Sequence, residues 1–143
     1  MDSNIIRTFV PDFNNQLKTI SKIMSQWTHV CGCIRVDALR VLENDEKANI
    51  EKILGHIVNY GDSDTETTIP RGRGASLKYQ IIENPDISCT AAFTIPIWGD
   101  LRDYNDVTEI KEWFKSVCDQ LFIRNAVINI EVEHGENVAY IYP

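Results

Sequence analysis

The chain contains no long apolar run and no basic leader. No stretch approaches the roughly 18 consecutive apolar residues that a membrane-spanning helix needs. Residues 1–10 also lack the basic segment followed by an apolar run that a secretion signal requires. Proline and glycine are sparse, at 5 and 7 of 143 residues, which excludes collagen-like and low-complexity chains. We therefore expect a cytoplasmic protein with no membrane partner.

Basic residues are fewer than acidic residues in this chain. The chain has 14 Lys and Arg against 21 Asp and Glu, so its formal net charge is −7. A phosphate backbone is normally bound by a stripe of Lys and Arg. Direct binding of nucleic acid is therefore not expected, whereas an acidic patch that meets a basic protein surface is compatible with this charge.

The chain has four cysteines, and they are predicted to be reduced thiols, since no secretion signal accompanies them. His29, Cys31 and Cys33 are of residue types that bind metals, and they occupy alternate positions of a predicted strand. Same-face neighbours on a strand lie about 6.6 Å apart, whereas two thiolates on one zinc must lie within roughly 4 Å. We therefore predict no metal site and no cofactor, and expect a preceding helix to cover both thiols.

Apolar spacing divides the chain into a helical extension, residues 1–25, and one α+β domain, residues 26–143. The extension has a single apolar stripe formed by Phe13, Leu17, Ile20 and Met24. Within the domain, alternation and turn residues predict strands at Trp27–Asp37, Ser76–Ile82, Ile87–Trp98, Asn125–Glu133 and Val138–Tyr142, with helices following Asn44 and Asp106. Glu109 completes a predicted capping box with Asp106.

This β-α-β-β-α-β order with one extra C-terminal strand predicts a ferredoxin-like antiparallel sheet, with two helices on one face and the first and third strands in the middle. Another α+β meander is the alternative. The uncovered face is predicted to present His29, Cys31, Cys33, Arg35, Asn129, Glu131 and Glu133. Such a face can be covered by the N-terminal helix or by a second copy, so a homodimer is an alternative expectation.

Two arginine positions are candidates for anion binding. The segment Arg71-Gly72-Arg73-Gly74 combines guanidinium groups with permissive glycines that can form a backbone nest. Its alternative is a solvated loop, because residues 62–74 are polar and have no periodicity. Arg35 is the second candidate. A cross-strand ion pair with Glu131 or Glu133 is its structural alternative.

A second cluster, for binding a protein partner, follows the third predicted strand. The segment from Trp98 to Tyr104 combines aromatic, acidic and basic side chains at a predicted strand-to-helix junction: Trp98, Asp100, Arg102, Asp103 and Tyr104. A calcium loop starting at Asp100 fails, since Asn105 and Lys111 occupy the positions that need Gly and Glu. Helix capping and an ion pair of Arg102 are the structural alternative.

No catalytic constellation is present in the sequence, and the three histidines have no motif partner. We therefore predict a non-enzymatic binding protein that acts through a protein partner, such as a small acidic regulator or inhibitor. Inhibitors of nucleic-acid enzymes that phage and other mobile elements encode are one such class. The alternative is a sensor that binds a small anionic ligand or nucleotide through the Arg-Gly loop.

Overall fold

The computed structural model describes residues 25–37, 46–62, 66–84 and 91–143. Within these ranges the protein is α+β, with a six-stranded antiparallel sheet and two helices. The strands are β1 (Trp27–Asp37), β2 (Lys78–Tyr79), β3 (Ile82–Glu83), β4 (Ala91–Arg102), β5 (Ile123–Val132) and β6 (Asn137–Ile141), and the helices are α1 (Glu46–Leu54) and α2 (Val107–Asp119). The predicted helix of residues 13–24, the cap at Asn44 and residues 87–90 of the predicted third strand lie outside the described residues.

The strand order is β2-β4-β1-β5-β6, and β3 also pairs with β4. Every pairing is antiparallel, with β1 held between β4 and β5. At one edge, β6 pairs with β5 and has no second neighbour among the described strands. The coarser prediction, an antiparallel α+β domain with two helices, is confirmed.

Alternation along the strands builds one hydrophobic core between the sheet and the helices. Ile34 of β1, Ile95 of β4 and Ile128 of β5 are each 0–1% exposed, as are Leu54 of α1 and Phe114 of α2. These β-branched and long apolar side chains recur with period two on the strands and at three- or four-residue spacing on the helices. The face of the sheet that bears the even-numbered residues of β1 is therefore the face that packs on the helices.

The helix ends are set by short local signals. Asp106 caps α2, since its carboxylate accepts a hydrogen bond from the Glu109 N–H at 3.0 Å, as the sequence predicts. Helix α1 ends before Gly55, whose φ of +107° suits glycine. The apolar spacing of Ile50, Leu54 and Val58 predicts a helix that ends at Gly61, so the observed end comes six residues earlier than expected.

The strand predicted over Ser76–Ile82 is divided into β2 and β3. Pro96 of β4 lies opposite the gap, and its carbonyl accepts from the Gln80 N–H at 3.2 Å. In an antiparallel pair, two such residues exchange both bonds, but proline has no N–H to return. The ladder is therefore interrupted at Gln80.

β4 continues four residues beyond the predicted end at Trp98. Its pairing with β1 extends until Arg102 lies opposite Trp27. Gly99 and Asp100 resemble turn residues in the sequence, but the long partner strand keeps them extended. Trp98, Asp100 and Arg102 are therefore strand residues, and the predicted junction loop is shorter than expected.

Among the described residues, no helix has the length and apolar character needed to cross a membrane.

Candidate functional site on the open sheet face

The sheet face opposite the helices, called here the open face, exposes large apolar side chains. It bears the odd-numbered residues of β1 and β5 and the even-numbered residues of β4. Six large hydrophobic side chains are exposed among the described residues, and four of them lie on this face: Ile82 (45%), Trp98 (42%), Val127 (44%) and Ile141 (73%). Single exposed apolar residues are common on protein surfaces, whereas a contiguous group of them marks a binding surface.

Strand register brings most of these side chains into one group. Pro96, Cys33, Val127 and Ile141 are successive partners across β4, β1, β5 and β6, and Trp98 lies opposite Cys31 one row away. We call these six residues the apolar band. With neighbouring strands about 4.8 Å apart, the band is about 14 Å wide from β4 to β6.

His29 is surrounded by carboxylates at one end of this band. Its Nδ1 lies 2.6 Å from Asp100 Oδ1, and its Nε2 lies 3.4 Å from Glu133 Oε1. Glu131 is its partner on β5. The hydrogen bond to Asp100 raises the pKa of His29, partial burial opposes this, and the negative charges of Asp100, Glu133 and Glu131 add to the rise.

These four residues, called here the acidic end, carry three carboxylates and one imidazole. Even with His29 protonated, the group is net negative, so it suits a Lys or Arg of a ligand better than an anion. Among the described residues, no group of three or more His, Cys, Asp and Glu is arranged to hold a metal ion. Cys31 and Cys33 lie where β1 pairs regularly, before its register shift at Arg35, so the spacing expected for a strand is kept.

The predicted ion pair between Arg35 and Glu131 or Glu133 is wrong. Because β1 and β5 are antiparallel, early residues of one lie opposite late residues of the other. The register places Arg35 opposite Asn125 and places His29 opposite Glu131. None of the ion pairs among the described residues involves Arg35. Its role in binding an anion stays a prediction.

The two predicted clusters, the Arg-Gly loop and the end of β4, lie against each other. The Arg73 N–H donates to the Arg102 carbonyl at 2.8 Å, and Arg73 Nη1 lies 3.5 Å from Asp103 Oδ2. Gly72 packs directly on the same strand, since a Cβ built there would lie 2.6 Å from the Arg102 nitrogen. Glycine is needed here because two backbones approach closely.

The loop is more firmly packed than the solvated segment that its composition predicts. Just before the loop, Ile69 is only 2% exposed, and the Pro70 carbonyl accepts a hydrogen bond from the Leu77 N–H at 3.0 Å. The Gly72 N–H donates to the Ala75 carbonyl at 3.0 Å, and Arg71 Nε donates to the Gly74 carbonyl, also at 3.0 Å. These internal bonds occupy groups that a phosphate nest would use. Anion binding by this loop stays a prediction without support from its geometry.

Tyr104 faces inward rather than toward a partner. Its ring is partly buried against the hydrophobic core, and its carbonyl accepts a hydrogen bond from Thr28 Oγ1. Burial, with smaller contributions from Glu109 and Asp106, raises the pKa of the Tyr104 phenol. Of the five predicted partner-binding residues, Trp98 and Asp100 lie centrally on the open face, Arg102 and Asp103 lie at its margin, and Tyr104 is turned away from it.

Val127 and Ile141 belong to the candidate site but were not among the residues selected from the sequence. Alternation along the fourth predicted strand could have placed Val127 beside Asn129 on the open face. The last strand alternates weakly, so its outward positions gave no comparable signal. Comparisons with protein-family models, curated proteins and solved structures found no match for this chain.

Proposed function

We propose that this protein is a non-enzymatic binding protein that engages a protein partner through its open face. The observation that carries this proposal is the apolar band beside the acidic end. Trp98 is 42% exposed and lies one row from Val127, which is 44% exposed. Tryptophan in such a setting supplies a large, rigid contact area.

The chemistry of the surface specifies the kind of partner. An apolar segment would bury the band, and a Lys or Arg beside it would meet Asp100, Glu131 and Glu133. Opposite charges of this kind speed association and set orientation, and they weaken as salt rises. A small acidic regulator or inhibitor of a basic protein, such as a nucleic-acid enzyme, fits this pattern.

We also propose that the fold is a ferredoxin-like plait with one added strand. The central positions of β1 and β4, with β5 beside β1 and β2 beside β4, support this assignment. The added strand is then β6. This architecture leaves one sheet face free of helices, although the architecture itself does not specify a function.

Affinity capture with the tagged full chain tests the proposed function. We expect a basic protein to be retained from the source cell's lysate and released by a salt step. Trp98→Ala should abolish retention, and Asp100→Asn should lower the salt concentration at which the partner elutes. Mass spectrometry identifies the partner, and its activity is then measured with and without this protein.

Tyr60→Ala is the matched control, since Tyr60 is an exposed aromatic residue, at 79%, in a loop outside the sheet. Capture should be the same for this variant and the wild type. The proposal fails if Trp98→Ala retains the partner as well as Tyr60→Ala does.

A further inference from the structure

Arg35 lies at the opposite end of the apolar band from the acidic end. On β1 it lies one row beyond Cys33, between Thr94 of β4 and Asn125 of β5. Because His29 lies six residues earlier on the same strand, the Cα atoms of His29 and Arg35 are about 20 Å apart. The open face therefore has carboxylates at one end, a guanidinium group at the other and apolar side chains between them.

The guanidinium group of Arg35 has an unsatisfied donor. Its Nε is buried and has no hydrogen-bond partner among the described residues. The other described arginines all have acceptors, which are a backbone carbonyl for Arg71 and carboxylates for Arg73, Arg102 and Arg124. A buried donor without an acceptor is costly and uncommon in folded proteins. Since the residue as a whole is partly exposed, a ligand can reach the group and supply the acceptor.

The surroundings of Arg35 favour a single carboxylate as this acceptor. Thr94 and Asn125 add a hydroxyl and an amide donor on either side of it, and we call these three residues the Arg35 row. The carboxylate of Asp37, further along β1, lies 2.8 Å from Arg124 Nε, so its charge is already balanced. One guanidinium group balances the charge of one carboxylate and can hold it by two parallel hydrogen bonds, whereas a phosphate group would keep part of its charge uncompensated.

Charge balance favours a different protein over a second copy as the occupant of this face. Two copies stacked with their β1 strands antiparallel would place each Arg35 over the acidic end of the other copy. Three carboxylates would then meet one guanidinium group and one imidazole at each end, between chains that each carry a net charge of −7. This surplus of negative charge opposes the pairing. A segment whose basic side chains outnumber its acidic ones matches both ends.

We propose that the Arg35 row binds an Asp or Glu side chain of the protein partner, while the acidic end binds a Lys or Arg of the same segment about 20 Å away. This inference rests on the proposed function, which it deepens by fixing the order of charges along the bound segment. The segment lies along β1 in one orientation, because the reverse orientation would place its acidic side chain against Asp100, Glu131 and Glu133. Its apolar side chains lie on the apolar band between the two charged groups.

Two small probes test the Arg35 row without the partner. Phenylacetate carries a carboxylate beside an apolar ring, and phenylacetamide has nearly the same shape without the charge. Binding is followed by the NMR signals of the Arg35 Nε–H and of the backbone amides of β1 and β5. We expect the wild type to bind the acid about tenfold more tightly than the amide, and Arg35→Gln to bind the two equally. Equal binding of the two probes by the wild type contradicts the inference, as does a preference for the acid that survives in Arg35→Gln.

Partner capture tests the same row in the full chain. Arg35→Gln should reduce the retained fraction of the partner about tenfold, and Arg35→Lys, which keeps the charge but not the paired N–H groups, should fall between this variant and the wild type. Lys47→Gln is the matched control, since it removes the same charge from an exposed residue of α1, on the other side of the sheet. Its retention should equal that of the wild type. Thermal melting shows whether each variant is folded, and if Arg35→Gln is not, Arg35→Lys carries the comparison.

The outcomes separate this inference from the proposed function. If capture depends on Trp98 but is equal for Arg35→Gln and Lys47→Gln, the inference fails and the proposed function stands. A preference for the acid that depends on Arg35, in a chain that captures no protein, keeps the carboxylate site and removes the proposed function. A dimer in sedimentation that Arg35→Gln dissociates would overturn the inference, because a second copy would then supply the carboxylate.

Discussion

His29 links two strands through its contacts with carboxylates. The side chain is 43% exposed, so its ion pairs are screened by water and each contributes little to stability by itself. Their effect on the proton of His29 is more informative, because the pKa of this group is raised above its ordinary value of 6.5. A raised folded-state pKa stabilises the fold fully below the unfolded pKa, and this contribution is lost as pH rises through the folded value.

The exchange Asp100→Asn should therefore reduce stability in a pH-dependent way. We expect the wild type to melt at a higher temperature than the variant below the ordinary histidine pKa of 6.5, and expect the difference to shrink as pH rises above it and His29 loses its proton. Thermal denaturation across this range measures it, and the NMR titration of the His29 ring should move to lower pH in the variant. A difference that grows with pH would contradict the assignment.

Gly72 fixes how closely the Arg-Gly loop packs on β4. In Gly72→Ala the new Cβ would lie 2.6 Å from the nitrogen and 2.9 Å from the oxygen of Arg102. These are backbone atoms of a central strand and cannot rotate away, so we expect a loss of about 1–3 kcal/mol in urea denaturation. Arg73→Ala, which removes only an exposed ion pair, should stay within about 0.5 kcal/mol of the wild type. Equal effects for the two variants would mean that the loop moves freely.

The interruption between β2 and β3 follows from a single residue of the neighbouring strand. Pro96 accepts a hydrogen bond from Gln80 and has no N–H to return. The two strands on this edge are consequently two residues long each. Short edge strands of this kind resist pairing with other chains.

Replacement of this proline should join the two strands. In Pro96→Val, the new amide at that position can donate to the Gln80 carbonyl, adding about 0.5–1.5 kcal/mol of stability. Hydrogen exchange should show this amide as protected. Thr94→Val is the control, since it changes a neighbouring side chain without adding an N–H. Exchange of the new amide at an unprotected rate would refute the explanation.

The elements that depend on local signals could be predicted from the sequence. The Asp106 cap and the apolar stripe of residues 110–121 predicted α2, and strict alternation of apolar and polar residues predicted β5. The end of β4 could not be predicted in this way, because Gly99 and Asp100 are kept extended by their pairing with β1. The division of the edge strand at Gln80 could not be predicted either, because it depends on the strand pairing that places Pro96 opposite Gln80.

The sheet separates two kinds of apolar surface, and neighbouring residues of β5 report on each. Ile128 is 0% exposed in the core, whereas Val127 is 44% exposed on the open face. We expect Ile128→Ala to cost about 2–5 kcal/mol and Val127→Ala no more than about 1 kcal/mol. Chemical denaturation measures both.

Partner capture should give the opposite contrast for Val127. Val127→Ala should weaken retention of the partner while the chain stays folded. A large loss of stability in Val127→Ala would instead identify the apolar band as part of a core, closed by residues that pack on it permanently.

The candidate site needed information that no local pattern contains. The alternation of residues along β1 predicted that His29 and the thiols of Cys31 and Cys33 share one face. Asp100, however, lies 71 residues further along the chain, and its contact with His29 depends on strand register. The predicted pairing of Arg35 with Glu131 is wrong because β1 and β5 are antiparallel, which places Glu131 opposite His29. The contact between Arg73 and Asp103 also joins two segments that lie 30 residues apart and were predicted to be separate clusters.

The two edges of the sheet differ in continuity. Within the described part of the chain, β6 offers five consecutive residues beside solvent, whereas the opposite edge is divided into β2 and β3. An incoming strand needs an unbroken row of amide and carbonyl groups, so of these two described edges the β6 edge suits strand addition better. Two copies joined β6 to β6 would use up both templates and close on themselves. Among the described strands, Pro96 therefore leaves the sheet with one continuous edge rather than two.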